Sequence, residues 1–198
     1  MWYIINTKLL FCIEGFKKRM NIGFDLDKVF IDYPPLIPAA LIDKLYKKRD
    51  NGVLLYRFPS YPEQLFRRFT HLPIFRGPIK KNLVFLKKIS KKENKLYLIS
   101  SRYKFLEGRT NQVVKTYGLD KVFDNLFFNY ENKQPHIFKN DVIKKLHLDI
   151  YIDDDLSLIK YVAAQNPKTK FFWLTNHKKG ASLGKNIYAI SQISEIFK

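Results

Sequence analysis

Six short runs of apolar, β-branched or aromatic residues, most of them followed by helical patterning, constrain this chain more than any other feature. The runs are Asn21–Asp25, Lys95–Ser100, Val122–Phe128, Asp149–Ile152, Thr169–Leu174 and Asn186–Ile190. Between and after them, Arg109–Tyr117, Asn140–Leu146, Ser157–Asn166 and Gln192–Phe197 carry apolar residues three and four apart, the spacing of a helix with one buried face. Strands alternating with helices of this size predict βαβ units and a doubly wound parallel sheet, an α/β fold. The 198 residues suit one domain, and 46% hydrophobic with 16% aromatic residues provide for a core. A disordered chain would be poor in both.

The alternation breaks once, between Val29 and Asn94. That span holds Pro34, Pro35, Pro38, Pro59, Pro62, Pro73 and Pro78 together with several basic helical stretches. It reads as a mostly helical cap, residues 29–94, inserted after the first strand. From Lys28 to Lys95 there are 16 basic and 5 acidic side chains, a net of +11 out of the chain's +18. Residues 1–19 read as an N-terminal extension of a domain over 20–198, with Trp2, Ile5, Leu9, Cys12 and Phe16 at helical spacing. They lack the basic start and small-residue cleavage site of a signal peptide. No run is long and apolar enough for a membrane-spanning helix. Cys12 is the only cysteine, which excludes an intrachain disulfide or a CxxC metal site and fits a reducing cytoplasm.

In parallel α/β sheets, ligands bind beyond the carboxyl ends of the strands, so the residues standing there carry the functional information. The first strand runs into Asp25-Leu26-Asp27-Lys28-Val29, the second ends at Ser100-Ser101-Arg102, and the fourth ends at Asp153-Asp154-Asp155, one helix after Lys139. Each signal alone has an ordinary reading: a triple aspartate is commonly a solvated turn or a helix cap, and paired serines a turn. Their shared placement, each directly after an apolar strand on one edge of the sheet, is what lifts them. Carboxylates gathered there repel one another unless a cation offsets them.

In these motifs the chain resembles the haloacid dehalogenase-like hydrolases. That family has DxDx[TV] after the first strand, Ser or Thr after the second, a Lys, and an acidic pair after the fourth. Here these correspond to Asp25-Leu26-Asp27-Lys28-Val29, Ser100, Lys139 and Asp153-Asp154, over Asn21 to about Ile190. The Ile152-Asp153-Asp154 ending is similar to the cytosolic deoxyribonucleotidase branch. The resemblance implies a Mg²⁺-dependent phosphomonoester hydrolase acting on a small phosphorylated substrate such as a nucleotide or sugar phosphate. Asp25 would be the nucleophile that forms an aspartyl-phosphate, and Asp27 the general acid and base. Ser100 and Ser101 would bind phosphoryl oxygens, and Lys139 would offset negative charge. Mg²⁺ would be held by Asp25, the Asp27 carbonyl and Asp154, with Asp153 binding through water or orienting Lys139. A carboxylate at Asp27 favours phosphoryl transfer, because dehalogenases attack carbon and need no acid there. Lys133 competes with Lys139 for the lysine role. Many family phosphatases have Gly where Lys28 stands, so a side chain there is expected to crowd the mouth of the site. A phosphotransferase or mutase with the same intermediate is the alternative enzyme.

Other features carry less. Gly180–Lys185 is one residue short of a P-loop and reads as a loop. Of His71, His136, His147 and His177, most are expected at the surface, with His136 the one placed near a substrate. The positive charge has three readings, in descending order: A/T-rich coding bias, steering of an anionic substrate, and nucleic-acid binding without turnover.

Overall fold

The computed structural model describes residues 19–34, 46–50, 53–90, 93–176 and 183–197. Its centre is a six-stranded parallel sheet of β1 (Asn21–Phe24), β4 (Lys95–Ser100), β5 (Asn125–Phe128), β6 (Ile150–Asp153), β7 (Lys170–Leu174) and β8 (Ile187–Ile190). The spatial order is β5-β4-β1-β6-β7-β8. After β1 the chain builds outward to β4 and β5, then returns to lay β6 on the other side of β1. The order therefore reverses at β1 and β6, and a crevice opens at their carboxyl ends.

The period-two alternation of a strand assigns the faces. Ile22, Phe24, Leu96, Leu98, Ile150 and Ile152 point to one side. There they meet α2 (Lys80–Ile89) through Leu86 and Ile89, and α3 (Glu107–Thr116) through Val113 and Val114. Tyr97, Ile99 and Tyr151 point to the other side. Their partners are α4 (Pro135–Leu146), through Val142 and Ile143, and α5 (Leu156–Gln165), through Leu158, Ile159 and Val162. By the same parity Asp25 and Asp153, one step beyond Phe24 and Ile152, fall on the α4 side.

Gly23 sits on that crowded side, in register with Tyr97 and Tyr151. A Cβ there would stand 2.5 Å from Leu148 Cδ1, 2.9 Å from Tyr151 Cδ2 and 3.0 Å from Ile99 Cδ1. The missing side chain is what lets the Tyr151 ring lie against β1.

The segment after β1 departs from the helical expectation in two ways. It contains an antiparallel hairpin, β2 (Lys47–Asp50) with β3 (Val53–Tyr56), before α1 (Tyr61–Thr70) and a 3₁₀ turn at Pro73–Phe75. The sequence reading missed the hairpin because its first strand is a run of charges. Furthermore, α2 packs into the core beneath the sheet, so the portion standing over the crevice is narrower than 29–94. No residue of α1 is buried. Polar links hold the insert down: the Gln134 side chain pairs with both backbone groups of Tyr56, and Lys47 pairs with Asp155 at 3.0 Å. Three of the four expected helices appear within a few residues as α3, α4 and α5, except that α4 starts at Pro135 rather than Asn140, and the fourth, Gln192–Phe197, is a 3₁₀ helix at Ile193–Phe197. The first 18 residues, His177 and the first half of the Gly180–Lys185 stretch lie outside the described residues. No described helix is long and apolar enough to cross a membrane.

Gly23→Ala should therefore destabilise the protein by about 1–3 kcal/mol through overpacking. Denaturant unfolding would measure this, and an unchanged midpoint would mean that Tyr151 and Leu148 move aside at no cost.

Candidate active site

At the carboxyl ends of β1 and β6, the Asp25 amide donates to the Ile152 carbonyl at 2.9 Å, continuing the sheet one residue past β1. This brings Asp25 beside Asp153 on the α4 face. Lys139 lies inside α4, not before a helix as the sequence reading had it, and its Nζ donates to Asp25 Oδ1 at 2.8 Å and Asp153 Oδ2 at 2.7 Å. All three side chains are buried. Lys133, the competitor, pairs with Glu131 at the surface.

The triple aspartate divides its work. Asp153 also accepts the Tyr151 hydroxyl at 2.9 Å and the Asp155 amide at 3.0 Å, which fixes both of its oxygens. Asp155 caps α5, accepting from the Ser157 and Leu158 amides, and receives the Tyr56 hydroxyl at 2.8 Å. The cap reading of this run thus holds for its last member. Asp154 has no hydrogen-bond donor on its carboxylate among the described residues, while its carbonyl accepts the Trp173 indole.

Oxygens of Asp25, Asp153 and Asp154 lie within 4.8 Å of one another. Against these three carboxylates stands one ammonium. Burial, then the Asp153 and Asp27 charges, push Asp25 up to about 7 despite the pull of Lys139. Burial, then Asp153 and Asp25, hold Asp154 well above the carboxylate range. Burial alone would weaken the Lys139 proton, but Asp153 and Asp25 outweigh it and hold its pKa well above the usual lysine value. A close, oxygen-only, negatively overcharged donor set fits a hard divalent cation.

Asp27 does not join this cluster through its side chain. Its carboxylate is forked by Arg102 (Nε to Oδ2 2.9 Å, Nη2 to Oδ1 2.8 Å) and met by Arg76 Nη1 at 3.0 Å. Burial would raise its pKa; Arg102 and Arg76 outweigh burial and hold it well below the usual range. Arg76, from the insert, also reaches His71 Nε2 at 2.7 Å, and His71 Nδ1 faces the Arg67 carbonyl at 2.7 Å. Because arginine only donates and a carbonyl only accepts, His71 is neutral with its proton on Nδ1. Burial and the neighbouring arginines lower its pKa accordingly.

The Ser100 and Ser101 hydroxyls and Arg102 Nη1 are buried without a hydrogen-bond partner among the described residues. They line a cleft of ≈ 200 Å³ whose floor includes Asp25, Lys139 and Asp154. The sequence reading missed Arg102 and Arg76. Arg102 was findable, since it directly follows the serine pair at a strand end; Arg76 lies 49 residues from its partner, with no motif around it. Two expectations fail. Lys28 does not line the cleft; it turns outward to Asp32 and the Tyr33 ring. Its φ of 61° lies in the left-handed region, which is the backbone reason a glycine suits that place. His71 and His136 are buried rather than at the surface, and His136 packs against the Tyr56 and Tyr161 rings, off the cleft lining.

No family model matches the sequence, and no curated protein matches it. Solved structures do. A dehalogenase crystal structure superposes with a TM-score of 0.61 at 10% identity, covering 91% of this chain and 96% of that one. The fold is that of the haloacid dehalogenase-like hydrolases. A haloacid dehalogenase-like hydrolase from Streptococcus pneumoniae gives 0.59 at 13% identity, over 90% of this chain and 97% of that one. The D,D-heptose 1,7-bisphosphate phosphatase of B. bronchiseptica, solved with magnesium and phosphate, gives 0.53 at 11% identity, over 89% and 96%. These likenesses concern architecture and reach no particular branch of the fold.

Metal and protons compete for the same carboxylates. Without a cation, the raised pKa of Asp25 contributes stability that is present at low pH and lost as pH rises through about 7. A divalent cation needs the deprotonated form. The gain in melting temperature on adding Mg²⁺, Mn²⁺ or Ca²⁺ to chelator-treated protein should thus be large at pH 8.5 and shrink as pH falls below 7. A gain that is flat from pH 6 to 8.5, or absent, contradicts the cation reading.

Proposed function

We propose that this protein is a Mg²⁺-dependent hydrolase of small phosphomonoesters that works through an aspartyl-phosphate on Asp25. One observation carries the reading: Asp25 lies at the floor of the cleft beside Lys139 and Asp154, with the unpartnered Ser100 and Ser101 hydroxyls lining the same space. An Asp25 oxygen attacks phosphorus and the ester P–O bond breaks. Water then attacks the same phosphorus, the Asp25–phosphorus bond breaks, and inorganic phosphate leaves. Lys139 favours the ionised form of Asp25 against the opposing effect of burial and aims it, since its other bond to Asp153 fixes the ammonium. The serine hydroxyls donate to phosphoryl oxygens. Mg²⁺, held by Asp25, Asp154 and Asp153, would supply charge neutralisation for the phosphoryl group.

Asp27 stands two residues on, suited to protonating the leaving oxygen. Between its arginines it is ionised, and it can take a proton only once that grip loosens. A bound phosphate dianion competes for Arg102, whose free Nη1 already lines the cleft. Substrate entry would thereby release the acid. Three carboxylates set to hold a cation favour phosphoryl transfer over dehalogenation, which needs no such charge.

The test is a panel of phosphomonoesters with and without Mg²⁺, with a 2-haloacid as control and the products identified. The expected result is inorganic phosphate from one or more esters, only with Mg²⁺. Asp25→Asn should lower turnover by a factor of about 10³ or more while the protein stays folded. Halide release, an isomerised phosphate ester, or near-normal Asp25→Asn activity would overturn the reading.

A further inference from the structure

Most cations around the cleft are already paired. Lys139 serves Asp25 and Asp153, Lys47 pairs with Asp155, Arg57 with Glu63, and Arg76 with Asp27. Arg67 is the exception among the described residues. It lies on α1, lines the cleft and has no carboxylate partner there. Its guanidinium is held between rings instead, 4.9 Å from the Tyr46 centroid and 5.6 Å from that of Phe105. Rings can orient a guanidinium, but they leave its in-plane N–H donors unsatisfied. Arg67 is half-buried, and its guanidinium nitrogens stay open to the cleft, where a ligand can reach them.

Its position separates it from the phosphoryl centre. Its backbone carbonyl accepts from His71 Nδ1 at 2.7 Å, and His71 Nε2 accepts from the Arg76 that pairs with Asp27, so Arg67 belongs to the Asp27 side of the cleft rather than to the Asp25–Asp153–Asp154 cluster. Asp27 is the residue suited to meet the leaving oxygen, so Arg67 stands on the leaving-group side. Arg102 Nη1, buried and unpartnered, faces the same cleft. The tyrosine faces nearby are taken up: Tyr46 carries Arg57 as well as Arg67, and Tyr33 carries Lys28 and Arg76. Tyr56 and Tyr103 also line the cleft, packed against His136 and against Phe58 and Phe105, so it is the cations that distinguish this wall.

We infer that the cleft takes a phosphomonoester whose alcohol carries a second anionic group, a carboxylate or a phosphate, and that Arg67 selects for it. The inference rests on the phosphatase reading and adds a substrate class to it. A hydrogen-bonded ion pair at such a site changes affinity by about 10- to 100-fold.

Paired substrates isolate the effect. Glycerol 3-phosphate and 3-phosphoglycerate differ by a carboxylate, and fructose 6-phosphate and fructose 1,6-bisphosphate by a phosphate. In wild type, kcat/KM for the doubly anionic member of one pair should exceed that of its partner by about 10-fold or more. The pair that responds identifies the anion. Arg67→Gln should bring that ratio close to one, and Arg67→Lys, which keeps the charge, should restore part of it. Ratios near one for both pairs in wild type, or a high ratio unaltered in Arg67→Gln, overturn the inference while leaving the phosphatase reading intact. If Arg67→Gln does not fold, the wild-type ratios decide. If wild type hydrolyses no phosphomonoester, the phosphatase reading falls, and calorimetric binding of the same compounds decides the anion site. Tighter binding of the anionic member, lost in Arg67→Gln, supports it; equal binding overturns it.

Discussion

The buried ammonium of Lys139, shared between Asp25 and Asp153, is the interaction on which the rest of the structure depends. Each carboxylate alone would be costly at this depth, and two together more so. One ammonium bonded to both makes their proximity tolerable and ties α4 to the ends of β1 and β6. Strand parity does the rest: the alternation that sends Ile22, Phe24, Ile150 and Ile152 to one layer sends Asp25 and Asp153 to the layer of α4. Gly23 permits the close approach of Tyr151, whose hydroxyl then anchors Asp153. The compensation remains incomplete, since Asp154 adds a third carboxylate. That residual charge is the physical case for a cation.

A second electrostatic knot joins the insert to the core. Asp27 receives one arginine from the end of β4 and one from the insert, and Asp155 receives a lysine and a tyrosine from the hairpin. In addition to apolar contacts such as Phe58 against Tyr103 and Phe105, the part of the insert over the cleft is thus docked by charged and polar groups. Such contacts respond to ligand charge as an apolar interface does not. An anion entering the cleft competes directly for the arginines that hold the insert in place.

Much of this was legible in the sequence. The sheet strands follow from their apolar runs, and Asp25, Ser100, Asp153 and Asp154 follow from standing directly after them. Lys139 could be preferred to Lys133 by its distance from Asp153, although its place inside a helix was hidden because Pro135 begins that helix earlier than the apolar spacing suggests. What stayed hidden depends on distant partners. Arg76 has no local mark, and its role exists only because folding brings it within 3.0 Å of Asp27. The hairpin was obscured because the charged run Lys47–Asp50 has no strand periodicity. Asp27 shows the limit most clearly: its motif points to a general acid, while only the folded chain reveals the two arginines that hold it ionised.

The central claim is that Asp25 becomes phosphorylated, and trapping the acyl-phosphate tests it most directly. Protein quenched during turnover with Mg²⁺ and a phosphomonoester, then reduced with borohydride, should contain homoserine in place of Asp25 when its peptides are read by mass spectrometry. The conversion should require both substrate and cation. Turnover with Asp25 unmodified, or with the modification at another residue, would contradict the account.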